Sequence, residues 1–202
     1  MKVEQIAGCL LVSALSFVLF TCSGPQVTRI DPNEGVDLSG YWNDTDSHLV
    51  AEEMINDSFA NQWLADFRKA NARKPRVVIG LVLNKTEEHI STETFVKDLE
   101  KSYINSGKVT FVASKEQRAE IRAERADQTQ NAKTGTAKTQ GQETAADFML
   151  KGQINSIFDA NKKAQLKYYQ VELELINLET NETVWIGQKK IKKVVSKKSY
   201  KV

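Results

Sequence analysis

Residues 168–191 read YYQVELELINLETNETVWIGQKKI, and this stretch decides the fold. From Tyr168 to Ile176 the side chains alternate. Tyr169, Val171, Leu173 and Leu175 share one face; Gln170, Glu172 and Glu174 share the other. A period of two marks a strand with one face on a core and one in water. Residues 179–182 supply a turn, and residues 183–191 return around Trp185, so the stretch predicts an antiparallel hairpin. Gly187, inside the return strand, marks a bulge or a close backbone approach.

Upstream, RVVIGLVL (residues 76–83) is nearly unbroken apolar and β-branched, the pattern of a central strand covered on both faces. KVTFVA (108–113) is a short strand and residues 148–157 a longer one. Between them lie helical patterns. In residues 48–73, Ile55, Phe59, Trp63 and Phe67 recur every four residues, with Asp46 or Ser47 as cap and Pro75 as stop. A second helix runs from Ser91 or Thr92 to Asn105, with Phe95, Val96, Leu99 and Tyr103 inward and Gly107 as stop. A third, residues 115–127, opens with a capping box of Ser114 and Gln117 and is too polar to be anything but a surface helix. QTQNAKTGTAKTQGQ (128–142) holds no apolar residue larger than alanine and reads as a mobile polar loop or a frayed helix, followed by a helical turn at 143–146. The fold class is α+β: two layers, a mixed sheet of about five strands ending in an antiparallel hairpin, and helices packed on it.

The chain has 202 residues, 41% hydrophobic and 27% charged, which fits one globular domain. A net charge of +2 gives no general pull toward nucleic acid. Two cysteines and two histidines exclude a disulfide framework and leave little for a metal site. No nucleotide-binding, metalloprotease or serine-hydrolase motif occurs, so no cofactor and no metal are expected. His48 and His89 sit in polar surroundings and read as solvated residues. Glu52–Glu53 and Glu87–Glu88 are neighbours that diverge, whereas glycosidase carboxylates must face each other across a substrate. Nothing points to an enzyme.

Charge is segregated along the chain. Residues 23–67 hold nine acids and one base, Arg29; residues 187–202 hold seven lysines and no acid. The lysine run reads as an edge strand guarded against pairing, or as an attraction to anionic lipid or polymer.

The N-terminus is a targeting segment. Lys2 precedes fifteen apolar residues, IAGCLLVSALSFVLF, too few for a bilayer span of about 20. They end in LFTCSG (19–24), which resembles a bacterial lipobox, with Leu19 three residues before Cys22. Residues 1–21 are read as a lipoprotein signal peptide and Cys22 as the acylated N-terminus; the alternative is a plain secretory peptide that leaves Cys22 as a free thiol. Ser23, rather than an aspartate, points to the outer membrane. Residues 22–46, with Pro25, Pro32 and few apolar side chains, read as lipidated cysteine and tether, 47–193 as the domain, and 194–202 as a basic tail.

Four strings carry a resemblance: LSGYWNDTD (38–46) followed by LVAEEMI, VVIGLVLNKT (77–86), ADFMLKGQI (146–154) and YYQVELELINLETNETVWIGQKKIKK (168–193). Together they resemble the LpoB-like penicillin-binding-protein activator lipoproteins. The resemblance implies a domain similar to the N-terminal domain of TolB, with no enzymatic activity. It implies an outer-membrane, periplasm-facing protein that binds a bifunctional peptidoglycan synthase and stimulates it. It also suggests partner contacts at Trp42, Asn43, Asp44, Thr45 and Asp46, and at Asn84, Lys85 and Thr86. The bland alternatives are a helix cap with Trp42 tucked against the core, and a side-chain-bonded turn. The rival function is a secretion or assembly lipoprotein related to the curli-pore family, or a structural envelope lipoprotein with no synthase partner. The oligomeric state is open.

Overall fold

The computed structural model describes residues 27–31 and 34–196; the segment read as a signal peptide, Cys22 and residues 197–202 lie outside the described residues. Two compact units are present, Met1–Glu34 and Gly35–Val202. In the first, the Glu34 amide donates to the Asp31 carbonyl at 3.0 Å.

The second unit holds α1 (Asp44–Ala60), α2 (Trp63–Asn71), β1 (Arg76–Asn84), α3 (Thr92–Ser106), β2 (Thr110–Phe111), α4 (Lys115–Asn131), β3 (Phe148–Ala160), β4 (Ala164–Asn177) and β5 (Thr183–Ser196). The five strands form one mixed sheet in the order β2-β1-β3-β4-β5. β1 runs parallel to β2 and β3, whereas β3, β4 and β5 are mutually antiparallel. The predicted two-layer α+β fold and the C-terminal hairpin are both present.

Register explains the core. Val77, Ile79, Leu150, Ile154, Tyr169, Val171, Leu173, Leu175 and Trp185 are all buried with Val50, Met54 and Ile55 of α1 and Phe95, Leu99 and Tyr103 of α3. Such burial contributes about 25 cal/mol per Å² of apolar surface, the main force holding the layers together. Trp185 joins it with a specific bond, its Nε1 donating to Asp57 of α1 at 2.9 Å. Gly187 is the close approach: a Cβ there would overlap the Trp185 ring. The irregularity in the hairpin lies elsewhere, between Leu175 and Ile176.

Several boundaries differ from the sequence reading. The first helix is two helices. Trp63 Nε1 donates to the Ser58 carbonyl at 2.7 Å and Asn61 N–H donates to the same oxygen, so α1 ends there and α2 starts in a new direction. α1 begins at Asp44, capped by Asn43 rather than by Asp46 or Ser47. β1 shifts register between Ile79 and Val82, leaving Leu81 77% exposed, so only its first half is covered on both faces. α4 continues four residues past Asp127 into the polar segment, and residues 143–146 are not helical. α4 buries no residue of its own; Arg118, Arg122 and Arg125 hold it to Glu143. Those guanidiniums keep the Glu143 carboxyl below the usual range. β5 runs to Ser196, so the first three residues of the basic tail are strand.

Candidate docking surface

Residues 35–43, read from sequence as the end of the tether, belong to the compact unit, and charged and aromatic side chains hold them. Trp42 packs edge-on against Phe95 at 6.2 Å and Tyr169 at 5.5 Å, and its Nε1 donates to Ser47 Oγ at 2.8 Å. Asn43 is the helix cap. Its side chain accepts from Asp46 N–H at 3.0 Å, and the Asp46 carboxylate accepts from Asn43 N–H at 3.0 Å. Such a reciprocal capping box contributes about 1 kcal/mol. Asn43 Nδ2 also donates to Asp37 at 2.8 Å. Thr45 is half-buried and Asp46 buried, while Asp44 points into solvent.

The second motif forms a turn after β1. Asn84 Oδ1 accepts from Thr86 N–H at 2.9 Å, Asn84 Nδ2 donates to the Glu88 carbonyl at 2.7 Å, and Glu88 N–H donates to Thr86 Oγ1 at 3.1 Å. Lys85 is exposed, and its backbone N–H donates to the Ile154 carbonyl at 2.8 Å. This is the side-chain-bonded turn that residues of this type favour.

The turn aims Glu88 at the first motif. Its carboxylate accepts from Trp42 N–H at 3.3 Å, Tyr169 OH at 2.7 Å and Lys167 Nζ at 3.1 Å. Burial, with Glu88 alongside, pushes the Tyr169 hydroxyl well above its ordinary value, so it remains a donor. Lys193 lies opposite Lys167 across β4 and β5 and bonds Asp37 and Asp46, both at 2.6 Å. Burial lowers the Lys193 pKa, but the two carboxylates outweigh that and hold the ammonium above the usual lysine range. The Tyr41 ring covers Lys167. The acidic arm and the lysine-rich strand therefore neutralise each other across this face. The cost of burying two ammonium groups is offset only because three carboxylates surround them.

The structure thus brings the two predicted motifs together through Glu88, Lys167, Tyr169 and Lys193; the sequence reading has Tyr169 as core, Glu88 as one of two diverging carboxylates and Lys193 as part of a lysine run, and gives none of them this role. A signal was available. Lys167 lies two residues before Tyr169 on the inward phase of β4, and Lys193 continues the inward phase of Trp185 and Ile191. A charge on a core-facing phase demands a partner. Cys22 lies outside the described residues. His48 and His89 are exposed. Among the described residues no group of His, Cys, Asp and Glu could hold a metal ion, and no helix is long and apolar enough to cross a membrane.

The family profile described as the peptidoglycan-synthase activator LpoB matches residues 46–191. The chain belongs to this family. No curated protein sequence matches it significantly. Among solved structures, it is similar to the LpoB C-terminal domain from Salmonella enterica, with 20% identity, 63% of this chain and 91% of that chain covered, and a TM-score of 0.35. It is also similar to LpoB from Escherichia coli, solved by NMR, with 16% identity, 89% and 85% covered, and a TM-score of 0.39. The LpoB-family match begins at Asp46, inside the capping box, and ends at Ile191, two residues before Lys193.

Proposed function

We propose that this protein is an outer-membrane lipoprotein, acylated at Cys22 and facing the periplasm, that binds a bifunctional peptidoglycan synthase of the penicillin-binding-protein class and raises its activity. It has no catalytic residue of its own. The observation that supports the reading is the synthase-activator family match over residues 46–191, which takes in β1 to β4 whole and most of β5. Activation by such a domain requires only that it bind the active conformation of the synthase better than the inactive one.

The surface formed by residues 42–46 and 84–86 is the docking edge. Asp44 and Lys85 have free, solvated side chains and make the contacts. Trp42, Asn43, Asp46, Asn84 and Thr86, bonded within the domain, hold that edge in shape, and Thr45 lines it. Presenting a preformed edge spares the ordering cost that a loose loop would incur on binding.

The chain from Ser23 onward, immobilised and exposed to a detergent extract of the envelope, should retain a protein that fluorescent penicillin labels. Asp44→Lys with Lys85→Glu should reduce that retention at least tenfold without changing the melting temperature. If no penicillin-labelled protein is retained by the unaltered chain, the activator reading fails. Incorporation of an alkyne fatty acid that Cys22→Ala abolishes is the result expected for the anchor, and equal labelling of both forms contradicts it.

A further inference from the structure

The three C-terminal strands outrun the rest of the domain. β1 pairs with β3 only as far as Ile154, whereas β3 continues to Ala160 and β4 and β5 stay paired with it. The last rungs therefore project as a three-stranded ribbon. At that end Ile157 is 66% exposed, Phe158 56% and Val194 66%. Ile157 and Val194 lie on the face away from the helices, on rungs two apart, the first with Tyr168 and Lys192 and the second with Leu166 and Asp159; Phe158, on the rung between, faces with Lys167 and Lys193. Lys162 and Lys163 occupy the β3–β4 turn, and Asp159 is the only acid among these residues. The paired lysines of the cluster, Lys167 and Lys193, face the other way. The ribbon end is thus apolar, ringed by solvated ammonium groups, with a net positive charge.

The N-terminal arm runs beside this end. The compact unit begins at Gly35, and residues 37–40 immediately line a shallow groove with Lys192–Ser196 at this same end. Leu38 in that segment is 92% exposed. Gly40 fits because a Cβ would overlap the Val195 side chain. Twelve residues separate Cys22 from Gly35, and at about 3.5 Å each they span at most about 40 Å. An acyl anchor at Cys22 would therefore hold the whole domain within reach of the bilayer.

We propose that the end of the β3–β4–β5 ribbon docks on a lipid surface bearing anionic headgroups. Ile157 and Val194 enter the interface and Lys162, Lys163 and Lys192 bind phosphate groups. Each lysine near such a surface contributes about 1 kcal/mol, and a single weak face suffices because the anchor already confines the domain at high local concentration. The confinement rests on the proposed anchor at Cys22; the lipid affinity does not.

The test uses the chain from Ser23 onward, which lacks only the acyl-bearing cysteine, with sedimented vesicles. It should bind vesicles of phosphatidylethanolamine and phosphatidylglycerol, release them as salt is raised, and ignore pure phosphatidylcholine. Lys162→Gln with Lys163→Gln and Lys192→Gln should weaken binding about 100-fold. Ile157→Ser with Val194→Ser should weaken it as well, while circular dichroism and melting temperature stay as in the parent. No binding to anionic vesicles, or binding that the triple glutamine variant retains, overturns the proposal. So does a concentration-dependent dimer that Ile157→Ser with Val194→Ser dissolves, since a second copy would then be the occupant. Loss of synthase stimulation is read separately, in detergent without vesicles, and the glutamine variant should stimulate normally there.

Discussion

Lys193 carries a fourteen-residue strand's connection to the arm that precedes α1. Its side chain is 11% exposed between Asp37 and Asp46. Truncating it leaves buried Asp46 without its cation, so Lys193→Ala should cost about 3 kcal/mol in chemical denaturation. Lys189→Ala, which removes a pair with the solvated Glu53, should cost less than 1 kcal/mol. Equal costs would mean that the cluster is not what holds the arm. A second residue-scale prediction concerns acid. Asp147 is bound by Arg73 through two bonds of 2.7 Å and by Arg76 N–H. Burial raises its pKa, but those donors outweigh it and leave the carboxyl below its ordinary value. The unfolded chain therefore takes up a proton first as pH falls. The stabilisation is complete above the ordinary aspartate range, about pH 4, and is lost on acidification through the folded value. Asp147→Asn should lower stability at pH 7 by about 2 kcal/mol and flatten the loss between about pH 5 and pH 3 in urea titrations.

At the scale of elements, local chemistry was legible where a single side chain or a clean period decides the outcome. Ser91 and Gly107 bound α3, Ser114 and Gln117 form their capping box, and β4 keeps its alternation. The break between α1 and α2 was not legible. The four-residue spacing of Ile55, Phe59, Trp63 and Phe67 continues through it, and the break comes from the Trp63 indole taking a carbonyl that the helix would have used. The arm before α1 was misread as free chain because its anchors, Lys193, Tyr169 and Glu88, lie 147, 127 and 46 residues from Asp46 or Trp42. Gly187 gives an element-scale test. Gly187→Ala places a methyl against Trp185, which is fixed by Asp57, and should cost about 2 kcal/mol by overpacking. Trp185→Phe in the same chain frees space and should recover part of that loss, as a double-mutant cycle would read.

At the scale of the molecule, the near-neutral total charge conceals a division of labour. The acidic arm and the inward lysines of β4 and β5 cancel inside the domain, which leaves the outward lysines free at the ribbon end and Asp44 and Lys85 free beside the capping box. The fold was readable because β4 alternates, β1 is an apolar run, the segments on either side of β1 carry a helical period, and Ser114 with Gln117 marks the start of α4. Of the residues proposed for docking, most of WNDTD and NKT serves the fold, which the spacing did not reveal, and Asp44 and Lys85 are the ones with solvated side chains. The decisive measurement is the initial rate of glycan-strand polymerisation by a purified bifunctional synthase from the same envelope, with and without the chain from Ser23 onward. A severalfold increase is expected, saturating as the two proteins reach equal concentrations and falling at least tenfold in potency for Asp44→Lys with Lys85→Glu. An unchanged rate at saturating concentration would contradict the activator function.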